Sequence, residues 1–106
     1  MERRKLSDAI AFDEHQMAKQ RLFETDRTLT DVYCLDPGQE QLLRVHEASD
    51  KVVLVMAGRV LVRVDDDTAE LGQYEAVLAP AGSKHALKNL GPDPAVLVVF
   101  VGPRLA

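Results

Sequence analysis

The sequence predicts an all-β domain, an antiparallel barrel or sandwich, on three observations. Nine short runs rich in strand-forming residues follow one another through most of the 106 residues. Glycine, proline and aspartate separate these runs, and no stretch between them has a helical apolar period. Apolar residues make up 46% of the chain, which is enough for one core in a chain of this length.

The strand candidates alternate with turns from residue 21 onward. The clearest turns are Asp-Pro-Gly at 36–38 and Pro-Ala-Gly at 80–82, and others are expected at 65–67 and 91–94. Many short strands without helices between them are typical of an antiparallel barrel. In chain order, strands are predicted at residues 21–24, 29–35, 40–46, 51–57, 59–64, 69–71, 75–79, 85–89 and 95–101.

The first twenty residues have a different pattern from the rest. Ser7 and Asp8 have the oxygen side chains that cap a helix, and the apolar Ile10 and Phe12 follow them. The same residues also suit an extended arm. We therefore expect residues 1–20 to form an arm or short helix, and residues 21–106 to form the barrel domain.

Alternation along the strands predicts which side chains face the interior. Successive side chains in a strand point to opposite faces. Around the eighth strand, His85, Leu87 and Asn89 fall on one face, while Lys84 and Lys88 fall on the other. Since the lysines face water, His85 is expected to point into the barrel.

Two runs, at 52–56 and 95–100, are apolar throughout and show no alternation. Strands of this kind are covered on both faces. A small barrel leaves one face of its sheets open, so the sequence predicts a homodimer in which a second copy supplies the cover.

Charge and cysteine content narrow the function classes. A net charge of −4 argues against a nucleic-acid partner. The single cysteine, Cys34, suits a reducing cytoplasm, and its expected role is that of a small buried apolar residue. The charged start of the chain lacks the apolar segment of a secretory signal, and the longest apolar run is too short for a membrane span. We expect a cytoplasmic domain without membrane partners.

Two motifs occur in order along the chain. The later one reads Pro-x-Gly-x-x-His-x-x-x-Asn and runs from Pro80 through His85 to Asn89. The earlier one has glycine at 38 and 58, with Arg44 and His46 between them. Together they resemble the conserved motifs of the cupin superfamily, and the closest likeness is to small single-domain cupin-2 or RmlC-like barrels. The resemblance implies a double-stranded β-helix, or jelly-roll, barrel.

In that family, three histidines and a glutamate usually hold a metal. The matching positions here are Arg44, His46, Lys51 and His85, so two of the four ligand groups are replaced by cations. Arginine has no lone pair to donate, and lysine donates only after losing its proton. The resemblance therefore implies at most an incomplete metal site of His46 and His85, or one rescued by a carboxylate from Asp50 or Glu47.

The same four residues suggest a different ligand. If they converge inside the barrel, their potential positive charges favour a bound anion, because an arginine fork fits a carboxylate or phosphate. The structural alternatives are that Arg44 pairs with Glu40 or Glu75 and that Lys51 extends outward to water. His46 and His85 would then be core histidines.

These interpretations of the four residues give three hypotheses about function. The first is a metal-free cupin that binds a small anionic ligand through Arg44, His46, Lys51 and His85. The second is a metal-dependent dioxygenase or isomerase, and the third is a non-enzymatic dimeric sensor or accessory domain. Whether the chain is an enzyme is left open; His46 and His85 are the catalytic candidates, because imidazole titrates near neutral pH.

Overall fold

The computed structural model describes residues 1–104 and contains nine strands after a short 3₁₀ turn at Leu6–Ala9. All nine predicted strands are present, with ends moved by up to three residues. No helix in the described part of the chain is long and apolar enough to cross a membrane. The strands are β1 (Ala18–Glu24), β2 (Leu29–Leu35), β3 (Glu40–Val45), β4 (Asp50–Ala57), β5 (Val60–Val64), β6 (Asp67–Leu71), β7 (Ala76–Ala79), β8 (Lys84–Lys88) and β9 (Ala95–Gly102).

The strands form two antiparallel sheets. The five-stranded sheet has the order β1-β2-β9-β4-β7, and the four-stranded sheet has the order β3-β8-β5-β6. Non-consecutive neighbours such as β2 and β9 show that the chain crosses repeatedly between the sheets, as in a jelly roll. The predicted all-β barrel is confirmed. The main core cluster is Tyr33, Leu35, Val53, Val55, Val60, Val62, Leu71, Leu87, Ala95, Leu97 and Val99.

The alternation predicted from the sequence agrees with the observed burial. In β8, His85 and Leu87 are buried whereas Lys84 and Lys88 are exposed. In β5, Val60 and Val62 are buried and Arg63 is exposed, as expected for a strand with one face toward the core and the other toward water. The faces of β5 and β8 therefore follow directly from their period-two patterns, whereas β3 has a register shift between Gln41 and Arg44.

The outer face of the five-stranded sheet is partly covered by the chain itself. Val32, Cys34 and Val96 form a second apolar cluster on that face, and Leu6 and Ala9 from the N-terminal 3₁₀ turn pack against it. Cys34 is buried, as expected. For the first half of β9 the N-terminal segment therefore supplies the cover that was expected from a second copy.

Asn89, the last residue of the later motif, holds several turns together. Its side-chain amide donates hydrogen bonds to the carbonyl oxygens of Leu35 at 2.9 Å and Asp93 at 2.8 Å. Its side-chain oxygen accepts one from the Gly91 N–H at 2.8 Å. Asn89 is fully buried, so water cannot replace these bonds.

We predict that Asn89→Ala lowers the free energy of unfolding by about 2–4 kcal/mol, because it leaves two carbonyls and one N–H unpaired in a buried place. Urea denaturation measures this change. Lys88→Ala, one residue away and exposed, is the control and should change stability by less than about 0.5 kcal/mol. Equal effects of the two substitutions would contradict the role given to Asn89.

Candidate functional site

Three strands bring the four residues singled out by the motifs to one end of the barrel. Lys51 is the second residue of β4, and Arg44 in β3 is paired with His85 in β8. His46 directly follows β3. Lys51 and His85 are buried, His46 is partly buried and Arg44 is exposed.

Lys51 lies inside the barrel with only 2% of its surface exposed. Its ammonium group donates a hydrogen bond to the side-chain oxygen of Gln41 at 2.7 Å and lies 5.2 Å from the centre of the Tyr33 ring. No carboxylate pairs with it among residues 1–104. The alternative in which Lys51 extends outward to water is therefore wrong.

A buried ammonium bonded to a neutral amide is destabilised relative to the free amine. Burial is the largest cause, and the positive charges of Lys19 and Arg44 add to it, so that the pKa of Lys51 falls to about 8. Asp31 opposes this shift only weakly. At neutral pH the side chain is still mostly charged, and this buried charge lowers the stability of the fold.

The two histidines stack on each other. Their ring centres are 5.3 Å apart and their planes differ by 6°. Burial, followed by the charge of Lys51, lowers the pKa of His85 to about 4, and the same two causes lower that of His46. Near pH 7 His85 is therefore neutral. Of the four potential positive charges expected from the sequence, those of Arg44 and Lys51 remain.

The residues present do not fit the metal that the family resemblance implies. The lone pair of a neutral imidazole lies in the ring plane, so two stacked rings do not aim their lone pairs at one point. Within the described chain, no group of three or more histidine, cysteine or acidic side chains could hold a metal ion. Asp50, a possible rescuing ligand, instead accepts a hydrogen bond from the Ala81 N–H at 2.8 Å.

A cavity of about 470 Å³ opens at this end of the barrel. Gln41 and Tyr33 contribute to its lining, and the Gln41 side-chain amide donates to the Tyr33 hydroxyl at 3.3 Å. The two residues that contact the Lys51 amine thus also face the cavity. The complete lining is Lys19, Leu29, Asp31, Tyr33, Gln41, Arg44, Val45, His46, Glu47, Ala48, Ser49, Val101 and Arg104.

The charges around this cavity are unevenly paired. Asp31 accepts a hydrogen bond from Arg21 at 2.5 Å and lies 3.8 Å from Lys19, so its negative charge is paired with these two cations. Arg104 pairs with Glu24 at 2.8 Å. Arg44 has no ion-pair partner in the part of the chain that the structure describes, which rules out the expected pairing with Glu40 or Glu75 there. Glu47 also lines the cavity and has no ion-pair partner among residues 1–104, so the unpaired charges of the lining are those of Arg44 and Glu47, and the buried Lys51 ammonium lies behind Gln41.

Both motifs lie within the region of the chain that one family model matches. The model for the Cupin domain matches residues 31–101. An uncharacterized Streptomyces coelicolor protein is 35% identical over 72 residues, 68% of this chain and 68% of that protein. The tetracenomycin polyketide synthase protein TcmJ of Streptomyces glaucescens is 32% identical over 69 residues, 65% of this chain and 46% of its own length.

Solved structures agree with the fold over nearly the whole chain. The crystal structure of the TT1209 protein from Thermus thermophilus has a TM-score of 0.95 and 41% identity, covering 99% of this chain and 100% of that chain. A Klebsiella pneumoniae protein with a double-stranded β-helix domain has a TM-score of 0.90 at 21% identity, covering 97% of this chain and 90% of its own.

We predict a pH-dependent stability difference between the wild type and Lys51→Met. The lowered pKa means that charged Lys51 costs about 3 kcal/mol of stability, fully present below pH 8 and lost as pH rises from 8 to 10.5. Relative to Lys51→Met, the wild type should therefore gain stability between pH 7 and pH 10.5.

Urea denaturation of both proteins across this pH range measures the difference, which cancels the titration of the other lysines. A difference that stays constant within about 0.5 kcal/mol would mean that Lys51 titrates as an ordinary exposed lysine.

Proposed function

The chain belongs to the cupin family, and on this premise we propose that its barrel binds a small organic anion. The proposed ligand-binding residues are Arg44, His46, Lys51 and His85. The observation that carries the proposal is the Lys51 ammonium, which is buried and bonded to a neutral amide rather than to a carboxylate.

An anion in the cavity would supply the missing negative charge. At an effective dielectric of about 20, a carboxylate about 5 Å from one cation gains roughly 3 kcal/mol, and Arg44 and Lys51 would both contribute. Arg44 adds geometric specificity, because its planar fork binds both oxygens of a carboxylate or phosphate. His46, which lines the cavity, adds a hydrogen-bonding group.

The size of the cavity limits the class of ligand. At about 470 Å³ it lies at the low end of the range for small-molecule sites. His85 has a buried ring nitrogen, Nε2, with no hydrogen-bond partner among the described residues, and it lines a separate small pocket with Lys51 rather than this cavity. A ligand with a second polar group that extends past Gln41 toward these two residues would satisfy that nitrogen, so we infer a small acid with a further oxygen function.

The two other candidate functions make different demands on the site. A metal-dependent dioxygenase or isomerase needs a ligand set that this site lacks, and metal analysis of untagged protein separates it from the others. A dimeric sensor domain needs no catalysis but still needs a ligand if it senses one. We also propose a cytoplasmic location, in keeping with one buried free thiol, Cys34.

We predict that small carboxylates or phosphates raise the melting temperature and that matched neutral compounds do not. Saturation at 100 times the dissociation constant stabilises the fold by about 2.7 kcal/mol. Arg44→Ala should remove most of this response and leave the free protein within about 0.5 kcal/mol of the wild type, because Arg44 is exposed and has no ion-pair partner in the described part of the chain. A thermal-shift screen at constant ionic strength measures both effects.

The control variant is Arg63→Ala, which removes an exposed arginine from β5, where the Arg63 side chain donates to the backbone carbonyl of Asp65. It should keep the full ligand response. Equal shifts by neutral analogues, or an unchanged response in Arg44→Ala, would contradict the anion site.

We further propose that the chain forms a homodimer through its outer strip, the apolar part of the five-stranded sheet that the N-terminal segment leaves open. Leu78 and Phe100 in this strip are 56% and 44% exposed. No charged residue interrupts it, which favours a second, identical apolar face over a charged partner. The strip consists of two rows of residues paired across β7, β4 and β9. They are Leu78, Val52 and Phe100, and Ala76, Leu54 and Val98.

Light scattering at micromolar concentration should therefore give twice the chain mass of 11.7 kDa. Phe100→Asp should convert the dimer to a folded monomer, because it places a charge within the strip. Leu42→Asp, at a highly exposed apolar residue of the other sheet, is the matched control and should stay dimeric. A wild-type mass of one chain would contradict the dimer.

A further inference from the structure

We propose that Lys51 forms a reversible imine with the carbonyl carbon of a small oxo acid whose carboxylate is held by Arg44. This inference rests on the proposed anion site and adds a substrate class and a covalent step to it. It is carried by the position of the Lys51 amine, which lies behind two cavity-lining residues and has no carboxylate partner among residues 1–104.

Lys51 differs from the other lysines in its surroundings. Lys19, Lys84 and Lys88 are exposed, whereas the Lys51 amine is enclosed by the Gln41 amide and the Tyr33 ring. Only a neutral amine attacks a carbonyl. With a pKa of about 8, roughly a quarter of Lys51 is neutral at pH 7.5, against about 0.1% of an ordinary lysine.

Tyr33 is placed to assist the same step. Its hydroxyl oxygen accepts a hydrogen bond from the Gln41 amide, so its own proton remains free to be donated toward the cavity. Burial raises the pKa of Tyr33, and the hydroxyl therefore stays protonated at neutral pH. Gln41 thus connects the nucleophile and a candidate acid, accepting from Lys51 and donating to Tyr33.

Lys51 does not line this cavity but a separate small pocket, so a ligand reaches its amine only when the Gln41 side chain moves aside. Gln41 and Tyr33 line the cavity, and a bound carbonyl group would then replace the Gln41 oxygen as the neighbour of the Lys51 amine. Arg44 lines the same cavity and is close enough to lower the pKa of Lys51. A molecule with a carboxylate and a nearby carbonyl spans these two groups.

The step balances without any further reactant. The lone pair of the Lys51 nitrogen forms a bond to the carbonyl carbon, and the carbonyl oxygen takes a proton from Tyr33 to give a carbinolamine. The nitrogen then loses a proton, which returns to Tyr33, and the hydroxyl leaves as water with a second proton from the nitrogen. The result is one imine and one water from one amine and one carbonyl.

The test uses the full-length wild-type protein with pyruvate as the probe and sodium cyanoborohydride as the reductant at pH 7.5. Reduction converts an imine to a stable secondary amine, which intact-mass measurement and peptide mapping detect. We expect one main adduct per chain, on Lys51, formed at least tenfold faster than on Lys84 in the same molecule. Comparing two lysines of one folded protein avoids any dependence on the folding of a variant.

Variants and analogues then separate the imine from simple anion binding. Lys51→Arg and Lys51→Met should both lose the main adduct, whereas Lys84→Arg should keep it. Arg44→Ala should slow labelling of Lys51 about tenfold or more. Lactate, which has the same charge but no carbonyl group, should slow labelling by competing for the site and should still raise the melting temperature.

Labelling of Lys51 no faster than Lys84 would overturn the imine. If lactate and pyruvate raise the melting temperature in that case, the anion site stands without the covalent step. If neither does, the anion site fails as well. Fast labelling of Lys51 that is unaffected by lactate and by Arg44→Ala would show a reactive lysine without an acid-binding site, and would overturn the oxo-acid assignment.

Discussion

The hydrogen bond between Lys51 and Gln41 joins the two sheets inside the barrel, because Lys51 belongs to β4 and Gln41 to β3. It satisfies one donor of the ammonium group but leaves the positive charge without a counter-charge. Burial lowers the pKa of both histidines, and the charge of Lys51 lowers it further. The burial of Lys51 itself makes its amine easier to deprotonate.

Such an arrangement lowers the stability of the free protein. Removing an ammonium group from water is costly unless a partner compensates, and an amide oxygen compensates only in part. The fold tolerates the cost because its stability comes from elsewhere, from the apolar core between the sheets and from anchors such as Asn89. Functional sites commonly retain unfavourable groups that a ligand relieves, and an anion in the cavity would relieve this one.

Much of the fold could be predicted from the sequence, because strands, turns and alternation are local patterns. The inward direction of His85 followed from counting by two along β8. The same counting fails for Gln41: from Arg44 it places residue 41 on the outer face, but a register shift between the two residues turns Gln41 inward. No sequence signal marks that irregularity, so the partner of Lys51 was missed. The packing of Leu6 against the cluster that contains Val96 was missed because it joins distant parts of the chain.

The central claim, that Lys51 is a buried cation awaiting an anion, is tested most directly by nitrogen-15 NMR of the lysine side chains. Titration of the free protein should show one lysine, absent from Lys51→Arg, with a pKa near 8. The next step is to add the carboxylate without a keto group that raises the melting temperature most. It should move this pKa upward, because a nearby negative charge favours the ammonium form. A Lys51 signal that titrates like the exposed lysines, and does not respond to any anion, would contradict the claim.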